Sequence, residues 1–188
     1  MSANSSTLTA ISPIDGRYQS KTQSLAQFFS EYALIKYRVI VEIEWLKSLS
    51  ESKDLKEIQG ISKSSVNKLN SLVQNFSLDD ALAVKKIEET TNHDVKAVEY
   101  WLRQVLKAEE DVDPITPFIH FACTSEDINN LSYALMLKGA RDQVLIPKID
   151  TIISNLADLS LKYAKIPMLS RTHGQPASPT TLGKELAN

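Results

Sequence analysis

The sequence predicts an all-α fold, an N-terminal helical domain followed by the first helices of a helical bundle, whose last helix has barely begun at Asn188. Three observations predict it. Between Pro13 and Pro114 the chain has no proline and only Gly16 and Gly60 as glycines, so about a hundred residues run without strand and turn punctuation. Apolar residues recur at spacings of three and four in several segments. No alternating pattern of comparable strength marks a strand.

Composition bounds what such a fold can do. The 188 residues are 43% apolar and 23% charged, which excludes a disordered tail, a collagen-like repeat and a disulfide scaffold. With 21 Lys and Arg against 23 Asp and Glu, the net charge of -2 offers no global field for nucleic acid or an anionic membrane. The single Cys123 cannot bridge within the chain, and the start MSANSSTLTA lacks the basic and apolar regions of a secretory signal. No run approaches the roughly 20 apolar residues of a membrane span. The expected setting is cytoplasmic, with neither nucleic acid nor membrane as partner.

The elements follow in order. Ser30 can cap a helix whose Leu34, Tyr37, Val41, Trp45 and Leu49 form one stripe, and Gly60 ends that region. Ser77 with Asp80, and Thr91 with Asp94, match the S/T-x-x-acid capping box; the second opens a run with Val95, Val98, Leu102, Val105 and Leu106. The segment EEDVDPITP, acidic and broken by Pro114 and Pro117, places a boundary between a domain of residues 1–111 and a bundle segment of 112–188. Thr124 and Asp127 form a third box, before a helix with Ile128, Leu131 and Leu135 on one face that reaches about Leu145. Pro147 marks a kink or restart. Ile149, Ile152, Ile153, Leu156, Leu159 and Tyr163 then follow near a/d spacing, as a bundle helix requires. MLSRTHGQPAS reads as a loop, and Ser178-Pro179 as the cap and first position of a last helix. Because that helix has barely begun at Asn188, the chain is expected to be the front part of a longer protein.

Several residues could carry chemistry. His173, in SRTHGQPA, is a loop imidazole flanked by hydrogen-bonding side chains, suited to giving and taking a proton near neutral pH; a plain turn histidine is the simpler account of the residue alone. Thr124 and Ser125 open a helix and could meet a carboxylate or phosphate, although ordinary capping explains Thr124 and the acids Glu126 and Asp127 behind it oppose an anion. Asn92, His93 and Asp94 place a histidine at a helix start beside a carboxylate that could fix its tautomer. Arg17 and Tyr18 end the turn SPIDGRY with a pair suited to gripping phosphate. His120 and Cys123 have H-x-x-C spacing but no second ligand pair, so no structural zinc is expected. Neither a Walker loop nor G-x-G-x-x-G is present.

SPIDGRY, TTNHDVKAVEYWLR, HFACTSEDINN and SRTHGQPASPTT, in this order and at these separations, resemble the fumarase/aspartase superfamily, from about Leu8 to Asn188 and over only the first part of its length. SRTHGQPA is the most specific of the four. The resemblance implies an enzyme, a lyase that releases fumarate by β-elimination, with an N-terminal helical domain and a long central helical bundle of which only the first helices are here. Within the superfamily SPIDGRY, with Arg171 and Gly174 around His173, is closer to the branch acting on adenylosuccinate and on the succinylated aminoimidazole carboxamide ribotide than to an argininosuccinate-type lyase. It implies His173 as the acid, Thr124 and Ser125 on the succinyl carboxylates, and Arg17, Tyr18, Asn92, His93 and Asp94 around the nucleotide, with His120 lining the pocket. No cofactor is implied, the substrate is a small purine nucleotide, and the complete enzyme is expected to self-associate as a homotetramer. The superfamily's mobile Ser-Ser-x-Met-Pro-x-Lys-x-Asn-Pro loop, which supplies the base, is absent from these residues, so the segment alone is expected to be inactive. The contrasting reading is a non-catalytic helical interaction module with the same fold.

Overall fold

Residues 8–58, 60–110 and 112–188 are described by a computed structural model of the chain. By their contacts the residues divide into two compact units, one reaching to Gly139 and one comprising Ala140–Asn188. The boundary at 111 expected from composition rests on the acidic Pro-containing segment, whereas the contact division falls where the helix after Thr124 ends.

The first unit is built around helix α1 (Glu31–Glu51), capped by Ser30, whose hydroxyl accepts from the Ala33 amide. Its expected stripe is only partly the buried one. Val41 and Leu49 are buried, but Leu34, Tyr37 and Trp45 are half-buried, and Ile35, Val39, Ile43 and Leu46 carry the core instead. The helix is apolar over most of its circumference and other elements cover it on several sides, so spacing alone cannot choose one face. Ahead of it, Gln19–Thr22, Gln23–Leu25 and Ala26–Phe29 form short helical turns.

Helix α2 (Lys63–Gln74) is not among the elements expected above, although Val66, Leu69, Leu72 and Val73 recur in KSSVNKLNSLVQ at helical spacing. Ser62 caps it and Leu69 is fully buried. Helix α3 (Leu78–Thr91) opens with the expected box: Ser77 N–H donates to Asp80 and the Asp80 amide to the Ser77 hydroxyl. The next expected box is not made. Thr91 is the last helical residue of α3; Asn92 ends it at φ 50, and His93 caps helix α4 (Asp94–Leu106). A two-residue link leaves no room for Thr91 to act as a cap. Val95, Val98, Leu102 and Leu106 of α4 are buried as expected, while Val105 is not.

The core joins Val39, Ile43 and Leu46 of α1 to Leu69, Val84, Val98, Trp101 and Leu102, with Ile58, Phe76, Val112, Ile115 and Ile119 closing it. Phe76 meets Trp101 edge-on at 5.4 Å and receives the Tyr32 hydroxyl on its carbonyl at 2.6 Å. Each such large side chain taken out of water contributes about 1.5–3 kcal/mol. Val41, Val95 and Ile128 form a second apolar cluster that ties α1 and α4 to helix α5 (Ser125–Ala140). Ile128, Ser132 and Met136 of α5 are buried, whereas Leu131 and Leu135 are exposed and help line an open apolar groove of about 560 Å³ with Ile40, Trp45 and Cys123.

In the second unit Arg141–Leu145 form a π-turn before helix α6 (Ile146–Lys162), with Pro147 in its first turn, so the restart expected at that proline is present. The loop expected after α6 is instead an antiparallel hairpin of β1 (Pro167–Thr172) and β2 (Gln175–Thr181). Three prolines and the lack of apolar alternation hide it. An irregularity between Leu169 and Arg171 is satisfied by Ser170, whose hydroxyl donates to the Ser178 carbonyl at 2.8 Å and accepts the Ser178 amide at 3.1 Å. The last helix, α7 (Leu182–Leu186), starts three residues later than Pro179 and is capped by Thr181 rather than Ser178.

Helix α7 is tied by backbone bonds to the residues that follow α6: Leu182 N–H donates to Ile166 at 2.9 Å and Gly183 N–H to Tyr163 at 3.0 Å. A Cβ on Gly183 would overlap the backbone of Ser160 and Ala164. Gly183→Ala is therefore expected to unseat α7, at a cost of about 1–3 kcal/mol. Faster amide exchange confined to 163–188 would show it; unchanged exchange would refute the close approach.

Candidate active site

The first group of candidate residues gathers where α1, α4 and α5 meet. Arg38, side chain 6% exposed, reaches from the middle of α1 to both other helices. Its Nη2 donates to Asp94 Oδ2 at 2.6 Å and its Nε to Asn129 Oδ1 at 2.9 Å. Asp94 Oδ1 accepts the Val95 amide at 2.9 Å, so both carboxylate oxygens are engaged.

Beside them His93 Nδ1 accepts the Lys96 amide at 3.2 Å. An acceptor nitrogen carries no hydrogen, so in the neutral ring the hydrogen is on Nε2, which meets Ser125 Oγ at 3.4 Å. The backbone amide of α4, rather than the Asp94 carboxylate, fixes this tautomer. His93, Asp94 and Ser125, three of the residues proposed from sequence, are thus brought together. Asn92 precedes them in a left-handed conformation.

Thr124 is turned the other way from an anion-binding hydroxyl: its Oγ1 and N–H both donate to Asp127 Oδ2, at 2.8 and 2.7 Å. Only half of a capping box is made, since the threonine hydroxyl donates instead of accepting. The backbone and hydroxyl bonds from Thr124 hold the Asp127 carboxyl below its ordinary range.

His120 lies in the loop before α5 with φ 66, followed closely by Ala122 with φ 59, a concentration of left-handed non-glycine residues. Its Nδ1 is 2.6 Å from Oε1 of Glu42, a carboxyl wholly buried in α1. Burial pushes the Glu42 carboxyl up and the His120 contact pulls it back in part. Trp45 Nε1 anchors the same loop by donating to the Phe121 carbonyl at 2.9 Å. Arg17 and Tyr18 are exposed in the turn after Ser12, the guanidinium 5.5 Å from the phenol ring centre.

In the second unit His173 and Gly174 are the two central residues of the hairpin turn, with φ of 48 and 78 and with Thr172 paired to Gln175. Two central residues at positive φ are what a type I′ turn demands; glycine takes this freely and histidine more readily than most. The imidazole is therefore carried, exposed, at the tip of a two-stranded stalk, with Thr172 Oγ1 3.1 Å from its Nδ1.

Arg38, Glu42 and Asn129 were not singled out from sequence. The available signal was an arginine and a glutamate four residues apart inside the apolar run YALIKYRVIVEIEWL, where a solvated face would not be expected. Among the described residues no group of three or more His, Cys, Asp and Glu is gathered as for a metal, and no helix is long and apolar enough to cross a membrane.

Asp94 gives the site an acid dependence. Burial raises its pKa, but the Val95 amide, the charge and hydrogen bond of Arg38 and the nearby His93 outweigh it, holding the carboxyl below the usual aspartate value. A depressed folded pKa gives stability that is present above the unfolded value of about 3.9 and lost as pH falls through the lower folded value. Urea midpoints of the chain and of Asp94→Asn are thus expected to differ at pH 7, and to begin drawing together only below about pH 4, converging once the pH is below the depressed folded value. A difference that persists at low pH would show that the carboxylate charge is not its source.

Residues 16–188 match the family described as Lyase. Over 183 residues the chain is 54% identical to the adenylosuccinate lyase of Vibrio cholerae and 52% identical to that of Escherichia coli K12, covering 97% of this chain and 40% of each relative. The chain therefore spans about 40% of the length of the curated relatives it matches. Among solved structures it resembles the fumarate lyase from Mesorhizobium sp. BNC1, with a TM-score of 0.67 and 19% identity over 88% of this chain and 36% of that one. The 3-carboxy-cis,cis-muconate lactonizing enzyme from Pseudomonas putida gives 0.64 and 21% over 88% and 35%. These two likenesses are of fold, while the family match covers all the site residues just described: the chain belongs to the lyase family of the fumarase/aspartase superfamily.

Proposed function

We propose that this chain is the N-terminal part of a cytoplasmic enzyme that releases fumarate by β-elimination, from adenylosuccinate to give AMP and from the succinylated aminoimidazole carboxamide ribotide. The observation that carries the reading is His173, an exposed imidazole at a hairpin tip, in a chain about half identical to adenylosuccinate lyases over nearly its whole length. In the elimination a base takes the proton from the carbon beside a carboxylate, and the electron pair is held as an aci-carboxylate. The C–N bond then breaks as His173 gives its proton to the departing nitrogen, leaving the carbon–carbon double bond of fumarate.

The other residues hold and orient. Ser125 Oγ, at the start of α5 and 3.4 Å from His93 Nε2, suits one succinyl carboxylate, with Thr124 beside it once its bond to Asp127 is exchanged. Arg17, Tyr18, Asn92, His93 and Asp94 would position the nucleotide, and His120 would line the pocket. The base belongs to a loop outside these residues, so the segment alone is expected to give no significant turnover. Ile149, Ile152, Ile153, Leu156 and Leu159, more than a third exposed along α6, support self-association into a homotetrameric bundle.

The test is fumarate release from adenylosuccinate by a full-length lyase carrying this segment, beside the 188-residue chain. Release by the former alone is the expected result. Release from argininosuccinate instead would move the substrate, and no release from a folded full-length protein would leave a helical interaction module.

A further inference from the structure

Glu42 is a carboxyl with 0% exposure in the middle of α1. One oxygen meets His120 Nδ1 at 2.6 Å, and the other, Oε2, is buried without a hydrogen-bond partner. A carboxyl placed like this is costly, since an apolar residue in the same position would need no partner at all. The neighbouring acid makes it more so: Glu99, also buried, raises the Glu42 pKa through its charge, while its own oxygens are taken by Lys96 at 2.7 Å and Arg103 at 2.6 Å. Among the described residues it is His120 that hydrogen-bonds Glu42.

The other end of the contact is also under constraint. His120 is at φ 66, a conformation that costs a non-glycine residue about 1–2 kcal/mol. The ring is not buried with its partner, its side chain being 18% exposed. With Nδ1 committed to Glu42, Nε2 is the ring atom left to meet a ligand. The next residues in the loop, through Thr124 and Ser125, are the ones that lead into α5. A buried acid, a single short bond and a strained backbone thus converge on one ring at the edge of the proposed site.

We propose that Glu42 is a positioning residue: from the core it holds the His120 ring by Nδ1 so that Nε2 is presented to the substrate. This rests on the reading of His120 as a substrate-binding residue. The clamp itself does not, and the two are tested apart.

In the 188-residue chain with ¹⁵N-labelled histidine, the clamp predicts a downfield, slowly exchanging ring proton on the His120–Glu42 bond that disappears in Glu42→Leu, where no acceptor remains, and is untouched in Asp94→Asn. A wild-type spectrum without that proton, or its survival unchanged in Glu42→Leu, would overturn the clamp. In a full-length lyase, Glu42→Gln is expected to raise KM about tenfold, the worth of one bond to a charged group, with kcat nearly unchanged. In a His120→Ala background the same substitution is expected to add nothing. Equal effects in both backgrounds would reduce Glu42 to a structural acid. A wild-type enzyme that releases no fumarate would instead remove the substrate reading and leave the spectrum to decide the clamp.

Discussion

Replacing His173 in a full-length lyase carrying this segment is expected to lower fumarate release by about 10²–10⁴, the contribution of one general acid. The choice of substitute matters because the residue has two duties. It supplies the imidazole, and it occupies the first central position of a two-residue turn at φ 48. Alanine removes the ring but is poorly suited to positive φ, so His173→Ala mixes lost chemistry with a strained tip. Asparagine before glycine is among the best pairs for a type I′ turn, so His173→Asn keeps the hairpin while removing the proton carrier. Both variants are expected to lose the same large factor in kcat, and circular dichroism of His173→Asn should match the parent. A rate for His173→Asn within a few-fold of the parent would take His173 out of the chemistry. A loss in alanine alone would assign the effect to the turn.

The same turn shows what the sequence could and could not reveal. That His173 is reachable was legible, since hydrogen-bonding neighbours and Gly174 exclude a helical core face. That it rides on paired strands was not, because β1 and β2 hold three prolines and pair without an apolar face to announce them. The helices divide in the same way. Helix α3 follows from its capping box and α6 from its a/d-spaced stripe, both local rules. Helix α2 has a short stripe of Val66, Leu69, Leu72 and Val73 among polar residues, and the burial of Leu69 against the rest of the unit holds it. The site has a similar split. His93 and Ser125 stand at helix starts, where sequence rules look for them. Their supports, Arg38, Glu42 and Asn129, act across 91, 78 and 56 residues of chain through Arg38–Asn129, Glu42–His120 and Arg38–Asp94, and spacing cannot reveal contacts of that range.

Arg38→Met is expected to destabilise the first unit by about 2–3 kcal/mol, with a lower urea midpoint and an unchanged m value. Methionine has a similar stem and suits the apolar surroundings, so the loss isolates the guanidinium. Two partners on two helices then fall silent: Asp94 on α4 and Asn129 on α5. The cost stays below that of breaking a wholly buried pair because the Asp94 side chain is 48% exposed and water can replace part of what it loses. Arg38→Lys separates charge from geometry. A lysine keeps the positive charge near Asp94 but is a single point donor and cannot serve a carboxylate and an amide through two fixed nitrogens. It is expected to recover part of the stability and little of the alignment. In a full-length lyase both variants are expected to raise KM, since His93 and Ser125 sit at the starts of the two helices that Arg38 joins. An Arg38→Met chain with the parent's midpoint would mean that the apolar cluster of Val41, Val95 and Ile128 suffices to hold α1, α4 and α5 together, and that the guanidinium is dispensable.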